Sequence, residues 1–167
     1  MWVRIPPPVP NTGLAQWRSR GLIYKEEKIL DTVKKGRITE LKIITFLTEK
    51  GIVVSEPVVP CRYDLIVDIN DNLYKIQIKT GRTNEDEEYI EFSTCSNHTW
   101  IASGKKKKYV DEIDFFATYF NDEFYFIPIS ECKGTSKKLR LKPTKNGQVK
   151  NICFAKDYTF DKIFTEL

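Results

Sequence analysis

The chain has 167 residues, one domain's worth with room for a proper core, and carries 27 Lys and Arg against 23 Asp and Glu, a net charge of +4. Ten Phe, eight Tyr and three Trp argue against disorder for its bulk, and no stretch approaches the ~20 apolar residues of a membrane span. Cys61, Cys95, Cys132 and Cys153 show no CxxC spacing and His98 is the single histidine, which argues against structural zinc and for free thiols in a reducing cytoplasm.

Met1–Pro10 holds four of the eight prolines. Residues 1–20 are therefore expected to be a disordered leader, or no part of the native domain, with 21–167 forming a single domain. Tyr24–Lys34, with Ile29, Leu30 and Val33, predicts a short helix. Arg37–Lys50 predicts the main one, because Ile38, Leu41, Ile43, Ile44 and Leu47 recur at helical intervals and Gly51 supplies a C-cap. Glu40 stands three and four residues before Ile43 and Ile44, within the apolar stripe, where a carboxylate is costly unless a charge or metal meets it. The plainer alternative is a rim position, paired with Lys or Arg of the first turn.

Ile52–Val54 predicts a strand, and Arg62–Ile69 with Leu73–Thr80 a hairpin turning at Asn70-Asp71-Asn72. Tyr63, Leu65, Val67 and Ile69 alternate with Asp64 and Asp68. Tyr74, Ile76 and Ile78 likewise alternate with Lys75, Gln77 and Lys79. A carboxylate on one strand and an amide plus an amine on its neighbour then converge on one point. Tyr89–Ser93 reads as a strand, Thr94–Lys108 as a long loop, and Asp111–Tyr119 with Glu123–Ile129 as a second hairpin across Asn121-Asp122. Asp157-Tyr158-Thr159-Phe160 is expected to cap a C-terminal helix ending near Leu167. The order predicts an α/β (α+β) fold, a mixed sheet flanked by helices.

These residue types suit phosphodiester hydrolysis. A hard cation such as Mg²⁺ takes oxygen ligands, usually one or two carboxylates with waters and phosphate oxygens, and lowers the pKa of a bound water. Asp64 offers a carboxylate, Gln77 a side-chain carbonyl and Ile78 a backbone carbonyl, while Lys79 can orient the attacking water or neutralise developing charge. Arg62 and Arg82 flank the hairpin strands. Lys105, Lys106, Lys107 and Lys108, and the Lys133–Lys150 region with Lys137, Lys138, Arg140, Lys142, Lys145 and Lys150, gather positive charge in loop-like segments suited to DNA phosphates. The alternative for the hairpin is a set of cross-strand pairs on a solvated face, and for the lysines a solvated surface.

Asp64, thirteen positions, then Gln77-Ile78-Lys79 resembles the PD-(D/E)XK nuclease signature with Gln in place of the second acid. The chain is most similar to the small homing endonucleases encoded by group I introns, over Gly36–Pro60, Cys61–Arg82 and Tyr109–Pro128, about half its length. It departs from the pattern in the proline before the aspartate, displaced to Pro60, and in Gln77, which removes a negative charge. The resemblance implies a restriction-endonuclease-like core in which Glu40 is the helix acid, Asp64 the central metal ligand, and Gln77 and Lys79 the QXK pair. Val3-Arg4-Ile5-Pro6 can be encoded by a T-loop sequence, so the leader can be read as tRNA-gene DNA, a habitual lodging of mobile introns; an ordinary proline-rich arm is the alternative.

The residues and the resemblance together lead to the expectation of a Mg²⁺-dependent, site-specific endonuclease acting on double-stranded DNA, cytoplasmic and nucleoid-associated. A chain this small reads a long site most readily as a homo-oligomer, a dimer or tetramer. Phe154, Phe160, Ile163 and Phe164 are candidate interface positions, with the intramolecular core as their alternative. Two other functions remain open: a junction-resolving or restriction-type nuclease, and a non-catalytic DNA-binding module on a decayed core.

Overall fold

The computed structural model describes residues 15–97, 106–144 and 147–165. The chain divides into a unit of residues 1–35 and a unit of residues 36–167. Helix α1 spans Ala15–Glu49, so the expected helices Tyr24–Lys34 and Arg37–Lys50 are one element. Nothing between them stops a helix: there is no proline, and the single Gly36 costs only about 1 kcal/mol against alanine. Residues 15–20 of the expected leader form the start of α1, while residues 1–14 lie outside the described residues.

The strands follow as β1 (Val53–Ser55), β2 (Leu65–Ile69), β3 (Asn72–Ile78), β4 (Arg82–Thr83), β5 (Tyr89–Ser93), β6 (Cys95–Asn97), β7 (Lys106–Lys108), β8 (Phe115–Phe120), β9 (Glu123–Pro128) and β10 (Ser136–Arg140), and α2 is Phe160–Phe164. The main sheet runs in the order β1-β2-β3-β8-β9 and is mixed. Its one parallel pair is β3 with β8, in register Ile76↔Phe115 to Ile78↔Ala117. Both hairpins close through two residues at positive φ, Asn70 and Asp71 (53° and 61°) and Asn121 and Asp122 (50° and 58°), the backbone that a tight turn joining twisted strands demands. Asn and Asp accept it because their short side chains tolerate that conformation.

The main sheet is covered on both faces. On one, Ile43 and Leu47 of α1 and Phe164 of α2 pack with Leu65, Val67, Ile76, Ile78 and Phe126. On the other, Phe116 and Ile127 meet Ile90, Phe92 and Leu139 of a second sheet, ordered β10-β5-β4. Fully burying each such side chain contributes about 1.5–3 kcal/mol, so the two clusters fix how the second sheet lies on the first. The buried face of α1 runs Thr39–Ile43–Leu47; Ile38 and Leu41, read as core from their spacing, are 54 % and 47 % exposed.

Other elements differ from expectation. Thr94–Lys108 is not wholly a loop, since β6 and β7 pair within it; residues 98–105, with His98, Thr99, Trp100 and Lys105, lie outside the described residues. The basic segment after Lys133 contains strand β10, with Lys137 and Leu139 facing inward. Lys137 is buried, with Nζ 3.3 Å from the Glu131 carbonyl and 3.4 Å from the Tyr158 hydroxyl, and is not available to phosphate. Phe160, Ile163 and Phe164 belong to the intramolecular core, where Phe160 and Phe164 stack at 4.9 Å. Thr159 precedes α2 without a side-chain cap, and the helix stops at Phe164. All four cysteines are free thiols.

Candidate active site

The site forms where β2 and β3 part. Their antiparallel register pairs Leu65 with Ile76, and one step further would set Asp64 opposite Gln77. There the Asp64 N–H still donates to the Ile76 carbonyl at 2.8 Å, and beyond it side chains take over. The Asp64 carboxylate accepts from the backbone N–H of Ile78 at 2.7 Å and from the Gln77 amide, whose nitrogen also donates to the Ile78 carbonyl at 3.2 Å. Gln77 is 8 % exposed, so the face carrying it is not the solvated one a simple hairpin would show. The cause is the central place of β3, flanked by β2 and β8 and covered on both faces.

Burial pushes the Asp64 carboxyl above its ordinary value; the Ile78 N–H opposes this, the charge of Glu40 adds to it, and Lys79 and the Gln77 amide oppose it. The charges of Glu40, from α1, and Lys79, just past the end of β3, thus both act on Asp64. Glu40 is half-buried at the rim of the helix and pairs with Arg37 at 2.9 Å, which reaches on to Glu56 at 2.7 Å. The ion pair is the rim position given as its plainer alternative.

Lys79 is held by a residue that sequence reasoning missed. Its Nζ donates to the Tyr109 hydroxyl at 3.0 Å and lies 4.9 Å from the ring centroid. Tyr109 is 4 % exposed and stands edge-on to Phe116. The Arg62 guanidinium lies 3.8 Å from the same ring centroid, pairs with Glu112 at 2.6 Å and donates to the Lys108 carbonyl at 2.9 Å. Arg62 is thereby an organiser of this corner. Of the lysine run, Lys107 pairs with Glu112 and Lys108 donates to the Lys133 carbonyl at 3.0 Å. Thr39 and Thr80, also unforeseen, join α1 to the end of the site through their hydroxyls at 3.2 Å.

Beyond Lys79 the chain turns through Gly81 into β4. A β-carbon at Gly81 would stand 2.4 Å from Ile90 Cγ2 and 3.0 Å from the Thr118 hydroxyl, so only glycine lets the chain pass so close. Arg82, on β4, pairs through its backbone with Glu91, and its side chain is exposed, with no hydrogen bond or ion pair to the described residues. It lines, with Lys79 and Thr80, a polar cleft of about 530 Å³ that opens over the second sheet.

The donor set fits a hard cation. Asp64 and the Ile78 carbonyl present oxygens to one partly positive amide nitrogen, and a half-turn of the Gln77 amide would present a third oxygen there. Among the described residues no three His, Cys, Asp or Glu cluster as a metal cage.

Among the described residues no helix is long and apolar enough to cross a membrane. A comparison of folds finds a bacterial homing endonuclease, I-Ssp6803I, at a TM-score of 0.55 and 20 % identity, covering 75 % of this chain and 83 % of that one. No curated protein matches the sequence. The sequence model of the PD-(D/E)XK endonuclease family matches residues 30–161, and with Asp64, Gln77 and Lys79 gathered at the end of β2 and β3, the chain belongs to that family of nucleases.

Proposed function

We propose that the protein is a Mg²⁺-dependent, site-specific endonuclease of homing type that cuts double-stranded DNA. The observation that carries this reading is the hydrogen-bonded meeting of the Asp64 carboxylate, the Gln77 amide and the Ile78 carbonyl, with Lys79 and Glu40 near enough for their charges to act on Asp64. Asp64, Gln77 and Ile78 would hold the cation, and Glu40 would complete the site directly or through water. Mg²⁺ supplies Lewis-acid polarisation of a phosphoryl oxygen and acidifies a water. Lys79 would orient the nucleophile or meet charge on the phosphate, with Tyr109 fixing its amine. Arg62, Arg82, Lys107 and Lys108 would contact the DNA beside the cut.

The similarity of fold to a homing endonuclease supports the homing assignment, as does the need of a 19.5 kDa chain to assemble a long recognition surface. In this reading the protein works as a homo-oligomer in the cytoplasm, on DNA, with residues 21–167 as its functional domain. The test is cleavage of a plasmid carrying the uninterrupted tRNA gene inferred from flanking DNA. One discrete Mg²⁺-dependent cut supports the reading, and many cuts or a preference for branched DNA replaces it with a restriction-type or junction-resolving enzyme.

One observation favours a second reading. Gln77 replaces the second acid of the family pattern, and its amide donates to both Asp64 and the Ile78 carbonyl, as in a decayed, DNA-binding core. Mg²⁺-linked stabilisation separates the two, because only a metal site raises the thermal midpoint in proportion to occupancy.

A further inference from the structure

The second sheet has one apolar face and one polar face, and the mechanism uses neither strand β5 nor β10. Ile90, Phe92 and Leu139 point into the core. Tyr89, Glu91 and Ser93 of β5 and Ser136, Lys138 and Arg140 of β10 point away from it. The registers set these side chains in rows: Ser136 opposite Ser93, then Lys138–Glu91–Arg82 across all three strands, then Arg140 opposite Tyr89. The polar cleft that begins at Lys79 runs over this face, past Arg82 and Glu91 to Ser136.

We propose that this outer face enters the DNA major groove and reads base edges next to the scissile phosphate. The proposal rests on the nuclease reading for the place of that phosphate, at Lys79. Size permits it: strands lie ~4.8 Å apart, and the major groove of B-DNA, about 12 Å wide, admits a two-stranded ribbon such as β5 with either of its neighbours. Chemistry selects bases over backbone alone. A face that only tracked phosphates would be uniformly cationic, whereas this one centres on a carboxylate. Glu91 accepts from Ser136 at 2.9 Å and pairs loosely with Lys138 at 3.6 Å. A carboxylate can accept from the amino group of cytosine, arginine can grip guanine bidentately, and serine can serve either. Arg82, its side chain without a partner among the described residues, stands in the row with Glu91 and nearest to Lys79. Lys138 sits over the Tyr89 ring at 4.6 Å, which keeps its amine on the face.

The test is selection of bound duplexes from a random-sequence DNA pool by the full chain in EDTA, so that binding is read without cutting. Wild type is compared with Glu91→Gln and Arg82→Gln, with Ser93→Ala as a third variant should either of these shift the thermal midpoint. Wild type is expected to enrich a motif in which Glu91→Gln relaxes discrimination at one position from about tenfold or more to below about threefold, with Arg82→Gln relaxing a neighbouring one. That result upholds the proposal even if the protein never cuts. An unchanged motif in all three variants overturns it, as does a wild-type protein that enriches no duplex motif. Equal competition by duplex RNA also overturns it, because the deep, narrow major groove of RNA excludes a sheet.

Discussion

The side-chain amide of Gln77 donates to the Asp64 carboxylate and, at 3.2 Å, to the carbonyl of Ile78, so one neutral group gathers the oxygens that a cation would share. Replacing it with a carboxylate reverses the local balance. In Gln77→Glu two like charges face each other where one donor stood, which raises the proton affinity of the pair and leaves the Ile78 carbonyl unpaired. The metal-free variant is expected to be about 1–3 kcal/mol less stable. Saturating Mg²⁺ should restore more than it adds to wild type. Thermal midpoints with and without Mg²⁺ check this.

Asp64 gives a pH dependence whose sign follows from its burial. Its folded carboxyl holds a proton more tightly than the unfolded one, because burial and the charge of Glu40 outweigh Ile78, Lys79 and Gln77. Stability from this group is therefore full below the ordinary carboxylate value and is lost as pH rises through the raised folded value. Asp64→Asn keeps an acceptor for the Ile78 N–H and has nothing to ionise. In EDTA it is expected to melt above wild type at neutral pH, with the gap closing as pH falls into the acid range.

Tyr109 holds the amine of Lys79 at 3.0 Å from the far side of the site. Tyr109→Phe removes the hydroxyl and keeps the ring beneath Arg62 and beside Phe116. The cleavage rate is expected to fall about tenfold, since a hydrogen bond to a charged group is worth about 1.5–3 kcal/mol and only part of it serves the reaction. The thermal midpoint should barely move. A rate equal to wild type would mean that Lys79 needs no such support.

Gly81 is the hinge between the site and the second sheet. The added methyl of Gly81→Ala would press on Ile90, which is fully buried, and on the Thr118 hydroxyl, which is buried without a partner among the described residues. Overpacking of this kind costs about 1–3 kcal/mol. Chemical denaturation should show that loss, and sequence preference should loosen with it, because β4 and Arg82 come directly after.

Much of the fold and the site is legible from local pattern. Asn70-Asp71 and Asn121-Asp122 mark both hairpins because each turn needs two residues at positive φ. Asp64, Gln77 and Lys79 can be gathered because antiparallel register is fixed by the turn between them. The hidden features depend on distant partners. Tyr109 lies thirty residues from Lys79, and nothing beside it in the sequence marks it. Lys137 sits in a run that reads as solvated, and only Glu131 and Tyr158, brought from other elements, make its burial tolerable. The single helix α1 escapes because a lone glycine looks like punctuation and is too weak to act as it.

The most direct measurement is strand scission of supercoiled plasmid bearing the target, followed under single turnover for wild type, Asp64→Asn and Lys79→Ala in Mg²⁺ and in EDTA. Wild type is expected to cut in Mg²⁺ alone, with each variant slower by about 10²–10³-fold. Equal rates in all three proteins, or cutting that persists in EDTA, would contradict the assignment of this site.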